Sequence, residues 1–197
     1  SPQDPSACTR HAALMRLERA LFSDWLGWLC QSGGHDARRA AFHRTLGMVE
    51  DALAGAPGGG PFFMGPSPAL ADCVFAPFLE RISASIPYYK GETVRVSKAA
   101  RAASPYPALN AWFDAMDGWD VYAGTKSDFY THVHDLPPQL GGCAVAASPA
   151  QAAMAADIDG SDGVAWSLPL APLGAAGPAG EVWPGEDPPS DRLAAAA

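Results

Sequence analysis

Several patterns that define other protein classes are missing from this sequence of 197 residues. No apolar run approaches the roughly 20 residues that a membrane-spanning helix requires. Only 13 lysines and arginines stand against 21 aspartates and glutamates, and the formal charge of −8 argues against a nucleic acid or an anionic membrane as the main partner. Strand–helix–strand alternation, strong β-strand runs and internal repeats are also lacking. These absences leave an all-α protein as the predicted fold class.

Cysteines are few and scattered. The four cysteines lie far apart and form no Cys-x-x-Cys pair. Cys30 and Cys73 fall within apolar helical patterns, which indicates buried or unreactive thiols in a reducing compartment. A catalytic thiol usually needs a helix N-terminus or a cationic neighbour. Cys73 comes nearest to that condition, just inside a predicted helix, but it does not occupy the first helical position.

Helical periodicity of the apolar residues is what the sequence does contain. Steps of three and four residues predict five helices. They run over about residues 6 or 9 to 31, 36–54, 67–69 to 85, 104 or 106 to 117, and 127–134. The residues predicted to face the interior are Leu14, Leu17, Leu21, Trp25, Trp28, Phe42, Leu46, Val49, Leu53, Leu109, Trp112, Phe113, Met116, Phe129 and Val133. These stripes predict a bundle of amphipathic helices.

Capping and breaking residues set the predicted helix ends. Asp36 is a suitable N-cap for the second helix. Pro107 suits the first turn of the fourth helix, and Gly118 suits its end. Because proline has no N–H and restricts the residue before it, Pro87 is expected to stop the third helix and Pro137 the short fifth one.

A polar group near the end of the last predicted helix, His132, His134 and Asp135, looks like a metal-binding cluster in sequence alone. Residues two apart on a helix point to different faces, so joint ligation would need an extended backbone. We therefore predict surface histidines and no metal site.

Residues 61–81, PFFMGPSPALADCVFAPFLER, combine an aromatic stretch, a turn and a helix start. Apolar residues of this segment recur at helical spacing, which is typical of a buried helix. They are Leu70, Cys73, Val74, Pro77 and Phe78, followed by Ile82. Asp72 lies among them. Its charge needs a partner, either another side chain or the open amides at a helix start.

The start of this third helix has two readings. In a capping box, a Ser or Thr N-cap binds the N3 amide while an N3 acid binds the N-cap amide. Asp72 occupies the acid position, but position 69 is Ala, so the box is incomplete. Either Ser67 caps a helix that begins at Pro68, or Asp72 alone accepts from the open amides. In both readings Ser67 and Asp72 are structural, not catalytic.

Composition changes after residue 143. The segment 144–197 is rich in Ala, Pro and Gly and contains seven acidic residues against one arginine. Such a segment cannot bury enough apolar surface to offset the conformational entropy that it would lose on folding. We therefore predict a helical domain over residues 1–143 and an irregular acidic tail over 144–197. A free tail and a strap lying on the helical domain remain equal alternatives.

Two motifs resemble the C-terminal helical domain of glutathione transferases. Residues 61–81 look like the signature of its central helix, and residues 106–113, YPALNAWF, look like the start of the following helix. The resemblance covers about residues 10–135. The later run HVHDLPPQLGG, residues 132–142, is similar to plant and algal transferase-like proteins.

The resemblance implies the side of a transferase that holds a small apolar electrophile, with glutathione as co-substrate. In that family a thioredoxin-like domain holds the group that activates the thiol, and no such domain is recognisable in this chain. We therefore expect no catalytic residue and no tightly bound cofactor here, and no transferase activity from this chain alone. Because the first helix borders the co-substrate site in the family, Met15, Phe22 and Trp25 are the candidates for an apolar substrate wall.

The resemblance also implies partners and a location. A homodimer or a thioredoxin-like domain is the expected partner, and the cytoplasm or a plastid is the expected compartment. A different class of function stays open beside the enzyme: a non-catalytic interaction or scaffold module derived from the transferase fold.

Overall fold

A computed structural model describes residues 5–159 of the chain. Within this range the backbone forms seven α-helices and no strand, which confirms the predicted all-α class. The helices are α1 (Pro5–Cys30), α2 (His35–Ala54), α3 (Leu70–Lys90), α4 (Pro107–Asp117), α5 (Asp120–Ala123), α6 (Phe129–Leu140) and α7 (Pro149–Asp159). No helix in the described range is both long and apolar enough to cross a membrane.

The chain divides into two compact units. Of the described residues, the first unit comprises 5–80 and 102–126, and the second comprises 81–101 and 127–159. The division falls within α3, which contributes its first half to one unit and its second half to the other. Helices α1, α2, α4 and α5 belong to the first unit, and α6 and α7 to the second.

The core of the first unit lies between amphipathic helices. α1 packs on α2, and α2 packs on α4. The fully buried bulky side chains of this unit include Trp25, Trp28, Phe42, Leu46, Phe63, Phe75, Trp112 and Phe113. The predicted interior faces of α1, α2 and α4 are thus confirmed except at Leu17, which is half-buried while Glu18 beside it is buried.

The helix starts of the first unit agree only in part with prediction. α2 begins at His35 after Gly34, whose φ of 67° lies in the left-handed region. Asp36 is therefore inside the first turn, and its prediction as N-cap was wrong, because glycine adopts the left-handed conformation that precedes this helix without a Cβ clash. α4 begins at Pro107 and is followed by Gly118, as predicted.

The loop before α3 is folded tightly on itself. Phe62 and Gly65 exchange backbone hydrogen bonds of 3.2 and 3.1 Å. A Cβ on Gly60 would stand 2.2 Å from the Gly65 backbone, so the close approach requires glycine there. Arg10 of α1 donates to the carbonyl oxygens of Phe63, at 3.0 Å, and Ala52, at 2.6 Å. These bonds hold the loop with Phe63 pointing inward, 0% exposed.

In the second unit, α3 continues past Pro87 to Lys90, so the predicted end before this proline was wrong. The helix ends at Lys90 and is followed by Gly91, which has a φ of 71°. Its last carbonyl groups are satisfied from a distant part of the chain. The Tyr88 oxygen accepts from Gln151 Nε2 at 2.6 Å, and the Tyr89 oxygen accepts from the Ala146 amide at 2.8 Å. These tertiary bonds satisfy the open carbonyl groups of the last turn, which lies beyond Pro87.

Helix α6 likewise runs through Pro137 and Pro138 to Leu140, against the predicted stop. Pro137 has no N–H to donate to the carbonyl of Val133, four residues earlier. The Tyr89 hydroxyl donates to that carbonyl oxygen instead, at 2.7 Å. A side chain of α3 thus supplies the hydrogen bond that the proline lacks. The predicted inward positions of Phe129 and Val133 are confirmed.

Part of the predicted tail is helical. α7 covers Pro149–Asp159, packs on α6 and buries Ile158. A Cβ on Gly91 would stand 2.7 Å from the Gln151 amide, so the start of α7 lies against the end of α3. The boundary at residue 143 stays a prediction, and the rest of the predicted tail lies outside the described residues.

Candidate functional site

Asp72, in the first turn of α3, is the most enclosed carboxylate of the first unit, 0% exposed. Its Oδ2 accepts from the Ala69 amide at 2.9 Å. Its Oδ1 accepts from the Phe63 amide at 3.1 Å and from Trp112 Nε1 at 2.8 Å. The carboxylate therefore links the helix start, the preceding loop and α4. With three donors facing it and no solvent access, it is not placed to exchange protons with a substrate.

The helix start follows the second reading of the sequence. α3 begins at Leu70, so Ala69 is the residue before the helix, and Asp72 accepts from the Ala69 amide. Ser67 is exposed and lies three residues before the first helical position, too early to be its N-cap. The same arrangement recurs at α4, where Glu50 of α2 accepts from the amides of Ala108 and Leu109 at 2.7 and 2.8 Å. Acidic side chains thus satisfy the open amides of both helices.

The apolar set predicted for the buried face of α3 mostly faces outward, so that prediction was wrong except at Ile82. Leu70 is 65% exposed, Cys73 and Pro77 are exposed, and Val74 and Phe78 are half-buried. The buried face of this half of the helix consists of Ala71, Asp72, Phe75, Ala76 and Leu79. The helix has apolar residues on two sides, so the spacing alone does not show which side is buried. The side that is not buried forms an apolar outer face of α3.

Phe22 of α1 lies beside this outer face. Its ring centroid is 5.0 Å from that of Phe78 in an edge-to-face arrangement, and 6.1 Å from that of Trp25. Phe22 and Met15 are half-buried, whereas Trp25 is 1% exposed. A ligand on this surface would contact Phe22. It would not contact Trp25, which is buried and packs against Phe22. The assignment of Met15, Phe22 and Trp25 to a substrate wall stays a prediction.

A charged pair borders the two phenylalanine rings. The Arg19 guanidinium carbon lies 5.5 Å from the Phe22 centroid and 5.8 Å from the Phe78 centroid, within cation–π range. Glu18 accepts from Arg19 Nε at 2.7 Å and from Nη2 at 2.8 Å. The hydrogen bond and charge of Glu18 raise the pKa of Arg19. We call Arg19, Glu18, Phe22 and Phe78 the α1–α3 patch.

Sequence reasoning missed Glu18, whose side chain is only 2% exposed. The signal was present: Leu14, Glu18, Leu21, Trp25 and Trp28 follow one another at steps of four and three. An acidic residue at an inward position of an apolar stripe predicts a buried, paired carboxylate. Leu17 was assigned to that position instead.

A polar cluster of the second unit joins α3, α6 and α7. Asp159 accepts from the Tyr88 hydroxyl at 3.0 Å and lies 2.8 Å from His134 Nε2. Burial first, and then the hydrogen bond to Asp159, raises the pKa of Tyr88 to about 12. Burial also raises the pKa of Tyr89. Both phenols are held in the protonated form, unlike a hydroxyl poised to act as a base near neutral pH.

The histidines of α6 lie on different faces of the helix. His134 is exposed, but His132 is 6% exposed, so its prediction as a surface residue was wrong. No group of three or more His, Cys, Asp and Glu side chains in residues 5–159 is arranged to hold a metal ion. Cys73 is exposed, which corrects the predicted burial because Asp72 occupies the inward position.

Comparison with known families gives one match, which covers part of the chain. The family model described as glutathione S-transferase, C-terminal domain, matches residues 32–115, which include α2, Asp72 and most of α4. No curated protein and no solved structure matched the chain. Residues 32–115 are thus similar to the glutathione S-transferase C-terminal domain, the domain that the two motifs predicted. A plant or algal origin stays a prediction.

Proposed function

We propose that this chain forms the apolar co-substrate side of a glutathione transferase-type protein. The observation that carries the proposal is the α1–α3 patch. Two partly accessible phenylalanine rings meet there, with a buried tryptophan behind one of them. Partly exposed aromatic rings of this kind suit a flat apolar compound.

Activation of the glutathione thiol is assigned to a thioredoxin-like domain, whether in the same protein or on a partner. Two features of the described residues support this division. The Asp72 carboxylate is enclosed by three donors, and Tyr88 and Tyr89 have raised pKa values. A group that activates a thiol needs access to it and a pKa near the working pH. The co-substrate wall and the thiol-activating group would then come from different domains.

Binding of an apolar electrophile tests the wall. Chlorodinitrobenzene is titrated against the full chain, and its dissociation constant is compared with those of Phe22→Ala and Phe78→Ala. Each truncation should weaken binding by about 3- to 10-fold, since part of an aromatic contact is lost. Met48→Ala removes an exposed apolar side chain of α2 outside the patch and serves as the control. Equal binding by all four proteins, or no binding by the unaltered chain, contradicts the proposal.

The transferase assignment needs a second measurement. The whole protein, with any thioredoxin-like domain that belongs to it, is assayed for glutathione-dependent turnover of the same electrophile. Turnover that falls in the Phe22→Ala variant supports the enzyme. A whole protein that neither binds glutathione nor turns over any electrophile contradicts it.

The second candidate function is a protein-interaction or scaffold module. It is favoured by Leu70, which is 65% exposed at the start of α3 and continues the apolar outer face through Val74. Exposed apolar surface of this kind is typical of a protein interface. Under this alternative the unaltered chain forms a homodimer, and Leu70→Ser should dissociate it into monomers. Size-exclusion chromatography with light scattering measures the change. Under the enzyme proposal, the same substitution should leave electrophile binding at Phe22 intact.

A further inference from the structure

The Arg19 side chain combines exposure with a fixed orientation. It is 66% exposed, yet it is held at two nitrogen atoms and lies over two aromatic rings. An exposed arginine without such contacts samples many rotamers, and ordering it opposes binding. Here Glu18, Phe22 and Phe78 have already restricted the guanidinium before any ligand arrives.

The hydrogen-bond donors of Arg19 are only partly used. A guanidinium carries five N–H groups in a planar fork. Glu18 accepts from the edge formed by Nε and Nη2. Three N–H groups remain, two on Nη1 and one on Nη2, and one from each nitrogen forms the end of the fork. In residues 5–159 the three groups meet no acceptor, and the spacing of the pair at the end matches the two oxygens of a carboxylate.

Glu18 is the buried partner that holds the Arg19 guanidinium in place. Its carboxylate is 2% exposed, so it cannot readily exchange Arg19 for water. A ligand that binds the end of the fork leaves the Glu18 pair intact and uncovers no buried charge. An anion can therefore bind beside the aromatic rings without displacing the internal partner.

We propose that Arg19 anchors the anionic group of a small apolar anion, such as an aromatic carboxylate, whose hydrocarbon part lies on Phe22 and Phe78. This inference rests on the proposed apolar wall and adds a charge requirement to it. Glu18 is the positioning residue, because it orients the guanidinium without contacting the ligand. An uncharged compound of the same shape would use the rings alone.

Two ligands that differ only in charge test the requirement. Naphthoate and naphthamide share the same ring system, and each is titrated against the full chain by isothermal titration calorimetry. The unaltered chain should bind naphthoate about 3- to 5-fold more tightly, the advantage of an exposed ion pair of good geometry. Arg19→Gln should abolish this preference, and Phe22→Ala should weaken both ligands alike. Arg16→Gln removes another exposed arginine of α1 and should leave the preference unchanged.

A further pair of variants guards against misfolding and isolates the role of Glu18. Because Arg19→Gln leaves the Glu18 carboxylate buried without its partner, the double variant Glu18→Gln with Arg19→Gln is measured as well and should show no preference. Glu18→Gln alone keeps the positive charge but releases its orientation, so the preference should shrink.

The outcomes separate this inference from the proposed function. Equal binding of both ligands to the unaltered chain, or a preference that survives in the double variant or is lost in Arg16→Gln, overturns the anion anchor while the apolar wall stands. Failure of both ligands to bind overturns the wall and the anchor together.

Discussion

The two halves of α3 are held in place by opposite chemistry. In the first unit, the helix start presents open amides, and the Asp72 carboxylate accepts from the Ala69 amide. In the second unit, the helix end presents open carbonyl groups, and the Gln151 side chain and the Ala146 amide donate to them. Negative groups suit the start of a helix and donors suit its end. One helix thus uses a nearby carboxylate at one end and distant chain segments at the other.

The two ends of α3 also differ in the sequence separation from the groups that bond to them. Asp72 is itself part of α3, and it links a loop nine residues earlier to a tryptophan 40 residues later. Gln151 and Ala146 lie more than 50 residues after the carbonyl groups they satisfy. The first half of α3 therefore contains its own anchor, whereas the second half depends on the docking of residues 143–159.

The largest expected effect comes from removing the anchor of the first half. Asp72→Ala leaves three donors, the Ala69 and Phe63 amides and Trp112 Nε1, without their acceptor, which should lower the free energy of unfolding by about 3–5 kcal/mol. Urea denaturation measures the loss. Asp51→Ala removes an exposed carboxylate of α2 and should change stability by less than about 0.5 kcal/mol. A loss of that small size at Asp72 would contradict its role as the anchor.

The next effect tests the docking of α7 on the end of α3. Gly91→Ala places a Cβ 2.7 Å from the Gln151 amide at a φ of 71°, and should destabilise the second unit by about 1–3 kcal/mol. Hydrogen exchange should show faster opening of α7. Gly141→Ala has a similar φ of 76° but open space, so it isolates the backbone contribution. If both variants open α7 equally, the close contact with Gln151 is not what holds it.

A smaller effect is expected at the proline in α6. Tyr89→Phe leaves the Val133 carbonyl without the hydroxyl that replaces the missing proline N–H, and should cost about 1–2 kcal/mol. Pro137→Ala restores an N–H at the right position, so the same Tyr89→Phe change should cost less in that background. A double-mutant cycle by urea denaturation measures the coupling. Additive effects would show that the hydroxyl does not substitute for the backbone bond.

The smallest effect is the alkaline titration of Tyr88. Its pKa is raised from 10.0 to about 12, so the folded state holds the phenol proton more tightly than the unfolded chain does. The stability from this difference is fully present below pH 10.0 and is lost as the pH rises towards about 12. Tyr88→Phe should flatten this part of the stability profile. Ordinary ionisation of Tyr88 in ultraviolet titration of the folded protein would contradict the assignment.

Periodicity predicted most of the first unit correctly. The inward faces of α1, α2 and α4 follow from steps of three and four residues, because these helices are apolar on one side only. It failed on α3, where the outward Leu70, Val74 and Phe78 recur at helical steps, as do the buried Phe75, Leu79 and Ile82. A helix that is apolar on both sides does not encode which side faces the core.

Breaking residues were less reliable than periodicity. Pro87 and Pro137 were expected to end helices, and both lie inside them. In α6, the Tyr89 hydroxyl donates to the Val133 carbonyl in place of the missing Pro137 N–H. At the end of α3, Gln151 donates to the Tyr88 carbonyl, and this bond also comes from a residue distant in sequence. The candidate wall shows the same limit: the sequence pointed to Phe22, but the nearness of Phe78 and Arg19 needed the packing of α3 beside α1.

The sequence by itself determined the all-α class, the principal helices and the family signature around Asp72, since these depend on local spacing and on a few residues at helix starts. The tertiary structure decided which face of α3 is buried, which groups Asp72 binds, and how far α3 and α6 extend past their prolines. These outcomes depend on partners up to 63 residues away in the chain, and short-range periodicity carries no information about such contacts.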